Sequence, residues 1–259
     1  MADSFYVPLG EGSWRATGHA AGPWDARSQH GGPPSALLGR AMQRCQPQAD
    51  MMIARFTCEI LRPIPVGDLS VQTRVARPGR RVELLEATAS ADGREVARAS
   101  AWRVLRAEGP AVPSRLPSPP GLPDAPTMGT SAVWGGGYLS AMEWRPVRGS
   151  FDAPGPATAW GRMRYPLVPD EEPSPLERVL IIADTGSGIS WELDKNRWLF
   201  INPELTVHVH REATGEWICL DSSTAIATGG AGLATSVLSD QEGPVGVAAQ
   251  SLLITPHTV

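Results

Sequence analysis

The strongest constraint on this chain is that part of it is written twice. The stretch from Phe56 to Leu105 and the stretch from Leu205 to Ile254 carry the same succession of strand-like segments, about 149 positions apart. Each opens with a strand running into an arginine, Phe56 to Arg62 and Leu205 to Arg211. Each continues through a long strand and a second strand to an acidic turn, Asp92-Gly93 in one and Asp240-Gln241-Glu242-Gly243 in the other, and closes on an apolar strand. Duplication of this kind lets one copy keep reactive groups while the other keeps only the shape.

A chain of 259 residues can bury a substantial core as one large domain or two small ones. The net charge of −4 argues against broad nucleic-acid binding, which needs a basic face for phosphates. No apolar run approaches the roughly 20 residues of a membrane helix, and the start Met1-Ala2-Asp3-Ser4 lacks the layout of a signal peptide. Cys45, Cys58 and Cys219 are scattered in no metal spacing, so a reducing compartment without a disulfide framework is expected. The expectation is a soluble cytoplasmic protein.

The clearest boundary runs from Ala107 to Thr130, where Pro110, Pro113, Pro117, Pro119, Pro120, Pro123 and Pro126 remove backbone donors and fix φ. That composition predicts an extended linker. It separates a first module, residues 1–106, from a second, residues 131–259.

Before the linker, Phe5 to Thr17 reads as extended. Ala36, Leu37, Leu38, Ala41 and Met42 recur at helical spacing after Gln29-His30-Gly31-Gly32-Pro33-Pro34. Proline is tolerated in a first turn, whose N–H groups have no intrahelical partner. Strands are predicted from Leu69 through Val75, from Val82 to Ser90 and from Glu95 to Leu105. After the linker, Ala141 to Arg148 and Thr158 to Tyr165 read as strands. Ser174-Pro175-Leu176-Glu177 is a capping box opening a helix to about Thr185. That helix is apolar on every side, so it should be buried. Strands at Leu205 to Val209, Trp217 to Thr224, Gly232 to Ser239 and Val245 to Ile254 complete the set. One buried helix followed by antiparallel strands, twice over, fits an α+β fold in which each sheet wraps a lone helix. That is the hot-dog fold, and two in tandem make a double hot-dog.

Several segments resemble the double hot-dog acyl-CoA thioesterases, of the acyl-CoA thioesterase II type and its bacterial relatives. They are Gly22-Pro23-Trp24-Asp25 through Pro34, Phe200-Ile201-Asn202-Pro203-Glu204-Leu205-Thr206-Val207-His208, Gly215-Glu216-Trp217-Ile218-Cys219-Leu220-Asp221, and Gly232-Leu233-Ala234 through Gln250-Ser251-Leu252-Leu253. The resemblance implies an aspartate on the second helix, a hydroxyl on a strand and a glutamine on the last strand, together activating a water. Here these fall on Asp184, on Thr224 with Ser223 behind it, and on Gln250. It implies an acyl-CoA substrate and no cofactor. Thr185-Gly186-Ser187-Gly188 are smaller than the residues expected there, which bears on acyl-chain selection.

Physical chemistry allows a functional and a plain reading of each residue. Asp184 lies near the C-terminal end of an apolar helix, where the macrodipole and burial both work against its charge and would make it a stronger base. The plain reading is a solvent-facing helix end. Gln250 shares a strand face with Leu252 and Ile254, so its amide needs a partner, either a water or a second strand. The first repeat has Ser100, Ala101 and Trp102 there, which suggests one working site per chain. Thr224 is otherwise an ordinary β-branched strand residue. Gly31 and Gly32 precede a helix whose free N–H groups could polarise a thioester carbonyl, or they simply fit a tight turn. His30 beside them is a further substrate-contact candidate, and a base if the enzyme is instead a dehydratase or hydratase. His208 and His210 should face solvent and form no metal set. No Gly-x-Ser-x-Gly elbow is present. A non-catalytic acyl-thioester binding protein is the remaining alternative. Homodimers or larger assemblies are expected, since such sheets pair at their edges.

Overall fold

A computed structural model describes residues 3–110, 112–124 and 136–257. The first part of the chain forms β1 (Tyr6–Gly10), β2 (Ser13–Ala16), α1 (Gly32–Arg44), β3 (Met51–Ile60), β4 (Asp68–Arg77), β5 (Val82–Ala91) and β6 (Arg94–Leu105). The second forms α2 (Gly137–Ala141), β7 (Met142–Ser150), β8 (Ala153–Met163), α3 (Pro175–Ala183), α4 (Gly186–Ile189), β9 (Trp198–Ile201), β10 (Glu204–Val209), β11 (Ile218–Ile226), β12 (Ala231–Asp240) and β13 (Gly243–Pro256). Residues 107–110 and 112–124 carry no helix or strand. Their far end lies on the sheet, where Leu122 packs on Trp160 and Trp217 and the Pro123 carbonyl accepts from Arg145 Nη1 at 2.5 Å. The rest of the predicted linker, including Pro126, lies outside the described residues.

All the strands join one antiparallel sheet in the order β1-β2-β4-β5-β6-β3-β10-β13-β12-β11-β8-β7, with β9 added against β13. The order is a palindrome of repeat-related strands. β5 and β12 sit at the same repeat offset at both ends, and β3 meets β10 at the centre. Across that central pair Thr57 faces Thr206, its own counterpart 149 positions on, with the two Oγ1 atoms 3.2 Å apart. A residue can face its own equivalent across antiparallel strands only where a two-fold relates the copies.

Local chemistry explains the elements. Asp92 and Gly93 both have positive φ, 49° and 72°, as the tight turn between β5 and β6 requires. Ser174 caps α3 by accepting the Glu177 N–H at 3.2 Å, with Pro175 at the first helical position. Along α3, Val179, Leu180, Ile181 and Ile182 are all buried, each stabilising the fold by roughly 1.5–3 kcal/mol. α1 packs on β3 to β6, α3 packs on β8 and β10 to β12, and the two helices pack against each other. Their approach is very close. A Cβ on Gly32 would stand 2.2 Å from the Ile181 carbonyl oxygen, so only glycine fits where the start of α1 meets the end of α3. The sequence expectation ran α3 to about Thr185. The helix instead stops at Ala183 and restarts at Gly186, leaving Asp184 in the break.

Candidate active site

The break between α3 and α4 places the Asp184 side chain against α1, β13 and the start of β10. Its carboxylate is 4% exposed, far from the solvent-facing reading. Oδ1 accepts from Asn202 Nδ2 at 2.8 Å and from Gln250 Nε2 at 3.1 Å. Oδ2 lies 3.3 Å from His30 Nδ1. A Cβ on Gly31 would fall 2.7 Å from Oδ2, so the glycine makes room for the acid. Asp184, His30, Gly31, Ser187 and Asn202 line one cavity of about 540 Å³, whose apolar wall includes Trp24, Phe151 and Phe200. A cavity of this size and lining suits a small-molecule ligand.

Gln250 is 1% exposed and fully engaged. Nε2 donates to the Asp184 backbone oxygen at 3.0 Å as well as to Oδ1, and Oε1 accepts the Ser187 N–H at 2.9 Å. It is absent from the cavity wall. Its amide thus ties the acid to the α4 turn.

Thr224 is not brought to the carboxylate. Its Oγ1 lies 2.8 Å from Ser190 Oγ, and Ser190 is tied to Gly186 O. Ser223 is exposed, because alternation along β11 turns it to the opposite face. The amide of Asn202 stands where the strand hydroxyl was expected. Asn202 occupies the two-residue gap between β9 and β10 and is pinned there by its second bond, to Glu204 O at 3.2 Å. The signal for it was Phe200-Ile201-Asn202-Pro203, a polar amide directly before a strand.

His30 stacks on Tyr138, with ring centroids 3.9 Å apart and 9° between the planes. Burial lowers its pKa, against the opposing pull of Asp184. Nδ1 accepts the Gly32 N–H at 3.1 Å in one tautomer and donates to Asp184 Oδ2 in the other. The Gly32 N–H is thus turned to His30, whereas the Gly31 N–H has no protein acceptor among the described residues. Tyr138 sits on α2, which sequence reading missed because it is only five residues long. Its hydroxyl donates to Ile181 O at 2.8 Å and lies 2.8 Å from Thr185 Oγ1, fixing the end of α3. Ser187 was also missed. Ser187 lines the cavity, and its hydroxyl has no protein partner among the described residues. His208 and His210 are exposed, and no metal-ligating cluster is found among the described residues.

Residues 20–104 match the acyl-CoA thioesterase N-terminal domain, and residues 113–254 match the acyl-CoA thioesterase C-terminal domain. The chain belongs to the acyl-CoA thioesterase family. It is a thioester hydrolase, and the family implies an acyl-CoA substrate. No curated protein sequence matches the chain. Among solved structures it is similar to acyl-CoA thioesterase II TesB2 from Mycobacterium marinum, at 16% identity and TM-score 0.71 over 98% of this chain and 95% of that one. A tesB protein from Mycobacterium avium subspecies paratuberculosis gives 18% identity and TM-score 0.68 over 97% and 96%. A conserved protein with a hot-dog fold from Alicyclobacillus acidocaldarius gives 14% identity and TM-score 0.71 over 98% and 97%. At these identities the likeness establishes the hot-dog fold. No helix among the described residues is long and apolar enough to cross a membrane.

Proposed function

We propose that the chain is two hot-dog modules, residues 1–106 and 131–259 joined by the proline-rich linker, with one working site that hydrolyses an acyl-CoA by Asp184-activated water. The observation that carries this reading is the Asp184 carboxylate. It is buried yet lines the cavity; two amides hold Oδ1, and Oδ2 lies 3.3 Å from His30 Nδ1 and accepts no amide among the described residues. A buried, oriented carboxylate is suited to general-base work, worth about 10²–10⁴ in rate.

In the proposed step, water attacks the thioester carbonyl carbon as Asp184 takes one of its protons. The oxygen charge that develops is met by the Gly31 N–H and the Ser187 hydroxyl, donors with no protein acceptor of their own. The carbon–sulfur bond then breaks, and the proton on Asp184 passes to the departing thiolate. Asn202 and Gln250 are positioning residues, holding the acid through Oδ1. Thr224, committed to Ser190, stands outside this mechanism.

A second reading rests on the His30–Asp184 contact: hydration of an unsaturated acyl thioester with His30 as base. Against it, Tyr138 covers one face of the ring and Nδ1 already serves the Gly32 N–H. Free-thiol release from a panel of acyl-CoAs, run beside loss of the crotonyl-CoA double bond, separates the two. Thiol release without hydration supports hydrolysis, and hydration without thiol release overturns it.

A further inference from the structure

We propose that Arg62 binds an anionic group of the substrate, the phosphate of the thioester's carrier, at the open side of the Asp184 cavity. The proposal rests on the thioesterase reading and extends it to substrate recognition.

The duplication supplies the comparison. Arg62 and Arg211 each lie two residues beyond the equivalent central strands β3 and β10, and both are anchored to the same carbonyl position. Arg62 Nη1 donates to Glu95 O at 2.7 Å, and Arg211 Nε donates to Pro244 O at 3.0 Å. Beyond that anchor they diverge. Arg211 closes on Asp240 with two bonds, 2.5 Å and 2.6 Å, and also donates to Gly243 O. Burial works against the Asp240 charge, but Arg211 and the N–H groups of Thr214 and Glu242 outweigh it and hold the carboxyl down at about 2. That arginine is consumed by the fold. In the first copy the position equivalent to Asp240 is Ala91, so Arg62 keeps the anchor and has no acid to close on.

Arg62 is exposed and is one of the residues lining the same cavity as Asp184. Among the described residues no carboxylate lies within ion-pair distance of it. The other acid lining the cavity, Asp25, is already paired with Arg27 at 3.1 Å. Anchored at one nitrogen, the planar fork retains donors suited to a phosphate and has less freedom left to lose on binding it. Held at the open side, it would grip the carrier while the thioester reaches inward to Asp184.

The test compares the wild-type chain with Arg62→Gln on one acyl group borne by two carriers, CoA and the phosphate-free N-acetylcysteamine. The expected result is a KM about tenfold higher for the acyl-CoA, with kcat within twofold. The N-acetylcysteamine thioester should be unaffected. Equal changes for both carriers, or none for the CoA ester, overturn the proposal. A third substrate, a dicarboxylic acyl group on N-acetylcysteamine, covers the other source of negative charge. If Arg62→Gln hurts only that substrate, the residue reads an acyl-chain carboxylate and the carrier assignment is wrong. Calorimetric titration with free CoA reports binding without turnover. If CoA binds the wild type and not Arg62→Gln while no thioester is hydrolysed, Arg62 stands and the hydrolytic reading falls. If the wild type hydrolyses acyl-CoA and both proteins bind CoA equally, the reverse holds.

Discussion

Gln250 donates to Asp184 twice from one nitrogen, to the backbone oxygen at 3.0 Å and to Oδ1 at 3.1 Å. The last strand thereby grips the helix break that carries the acid. Asn202 grips the same Oδ1 from the other side at 2.8 Å.

Asp184→Asn keeps the size of the side chain and removes the base. It should fold as the wild type does and lose about 10³-fold in kcat, within the range removed with a general base. Free-thiol release measures it, with the circular dichroism melt as the folding control. Wild-type turnover would remove Asp184 from the mechanism.

The positioning residues should separate from Thr224. Gln250→Ala strands the Ser187 N–H and the Asp184 backbone oxygen and leaves Oδ1 to Asn202 alone, so it should cost about 1–3 kcal/mol of stability and lower kcat. Asn202→Ala should lower kcat with less loss of stability, because the residue is only half-buried. Thr224→Val should leave kcat within about threefold, the change removing only a bond to Ser190. A Thr224→Val loss as large as that of Gln250→Ala would restore the hydroxyl to the site.

Two neighbouring glycines should fail differently. Alanine at Gly31 would put Cβ 2.7 Å from Asp184 Oδ2, and the acid side chain must shift, so activity should fall further than stability. Alanine at Gly32 meets the Ile181 backbone oxygen at 2.2 Å and forces α1 off α3, which should cost about 1–3 kcal/mol or more. Urea midpoints and thiol release on both variants distinguish the two effects. The same pattern in both would refute the assignment.

His30 makes stability depend on pH. Its folded pKa lies below the ordinary 6.5 because burial disfavours the charged ring. Below about 6.5 the unfolded chain takes up a proton that the folded protein refuses, so stability falls as pH falls, by up to ~1.4 kcal/mol per unit. Above that value His30 contributes no slope. His30→Gln should flatten the urea-midpoint profile between pH 6.5 and 5, leaving the part due to His19, which burial also lowers. Parallel profiles would show that His30 titrates alike in both states.

Glu177 should act with the opposite sign. Burial raises its carboxyl to about 7, with Arg40 and Ser174 pulling the other way, and the Arg40 guanidinium itself is paired with Glu171. The folded state holds this proton more tightly, so the favourable contribution is full below about 4.5 and is lost as pH rises through 7. Glu177→Gln should therefore stabilise the protein by ~1–3 kcal/mol at pH 8 and by little at pH 4.5. Equal stabilisation at both values would rule out the buried charge as its cause.

Most strands, the two main helices and the duplication were legible in the sequence because each is set by local periodicity, and the echo fixes its own offset; the four-residue β9 was too short to show one. Thr57 facing Thr206 is the tertiary form of that offset. Asp184 and Gln250 were also legible, since an acid ending an apolar helix and an amide on an apolar strand face are both locally anomalous. Thr224 was misplaced because a hydroxyl in a strand is not anomalous, and nothing local says which way a neighbouring Ser190 will turn it. Asn202 joins the site only because the strand β10 pairs with β3 and β13 and sets its preceding residues against the helix break. Tyr138 arrives on a single helical turn too short to leave a period. Local pattern thus determined what each segment becomes. Only the packing of one copy against the other decided that His30, Gly31 and Arg62 of the first line the same cavity as Asp184 and Asn202 of the second. Contacts between residues distant in the chain depend on register and helix approach, which no single segment encodes.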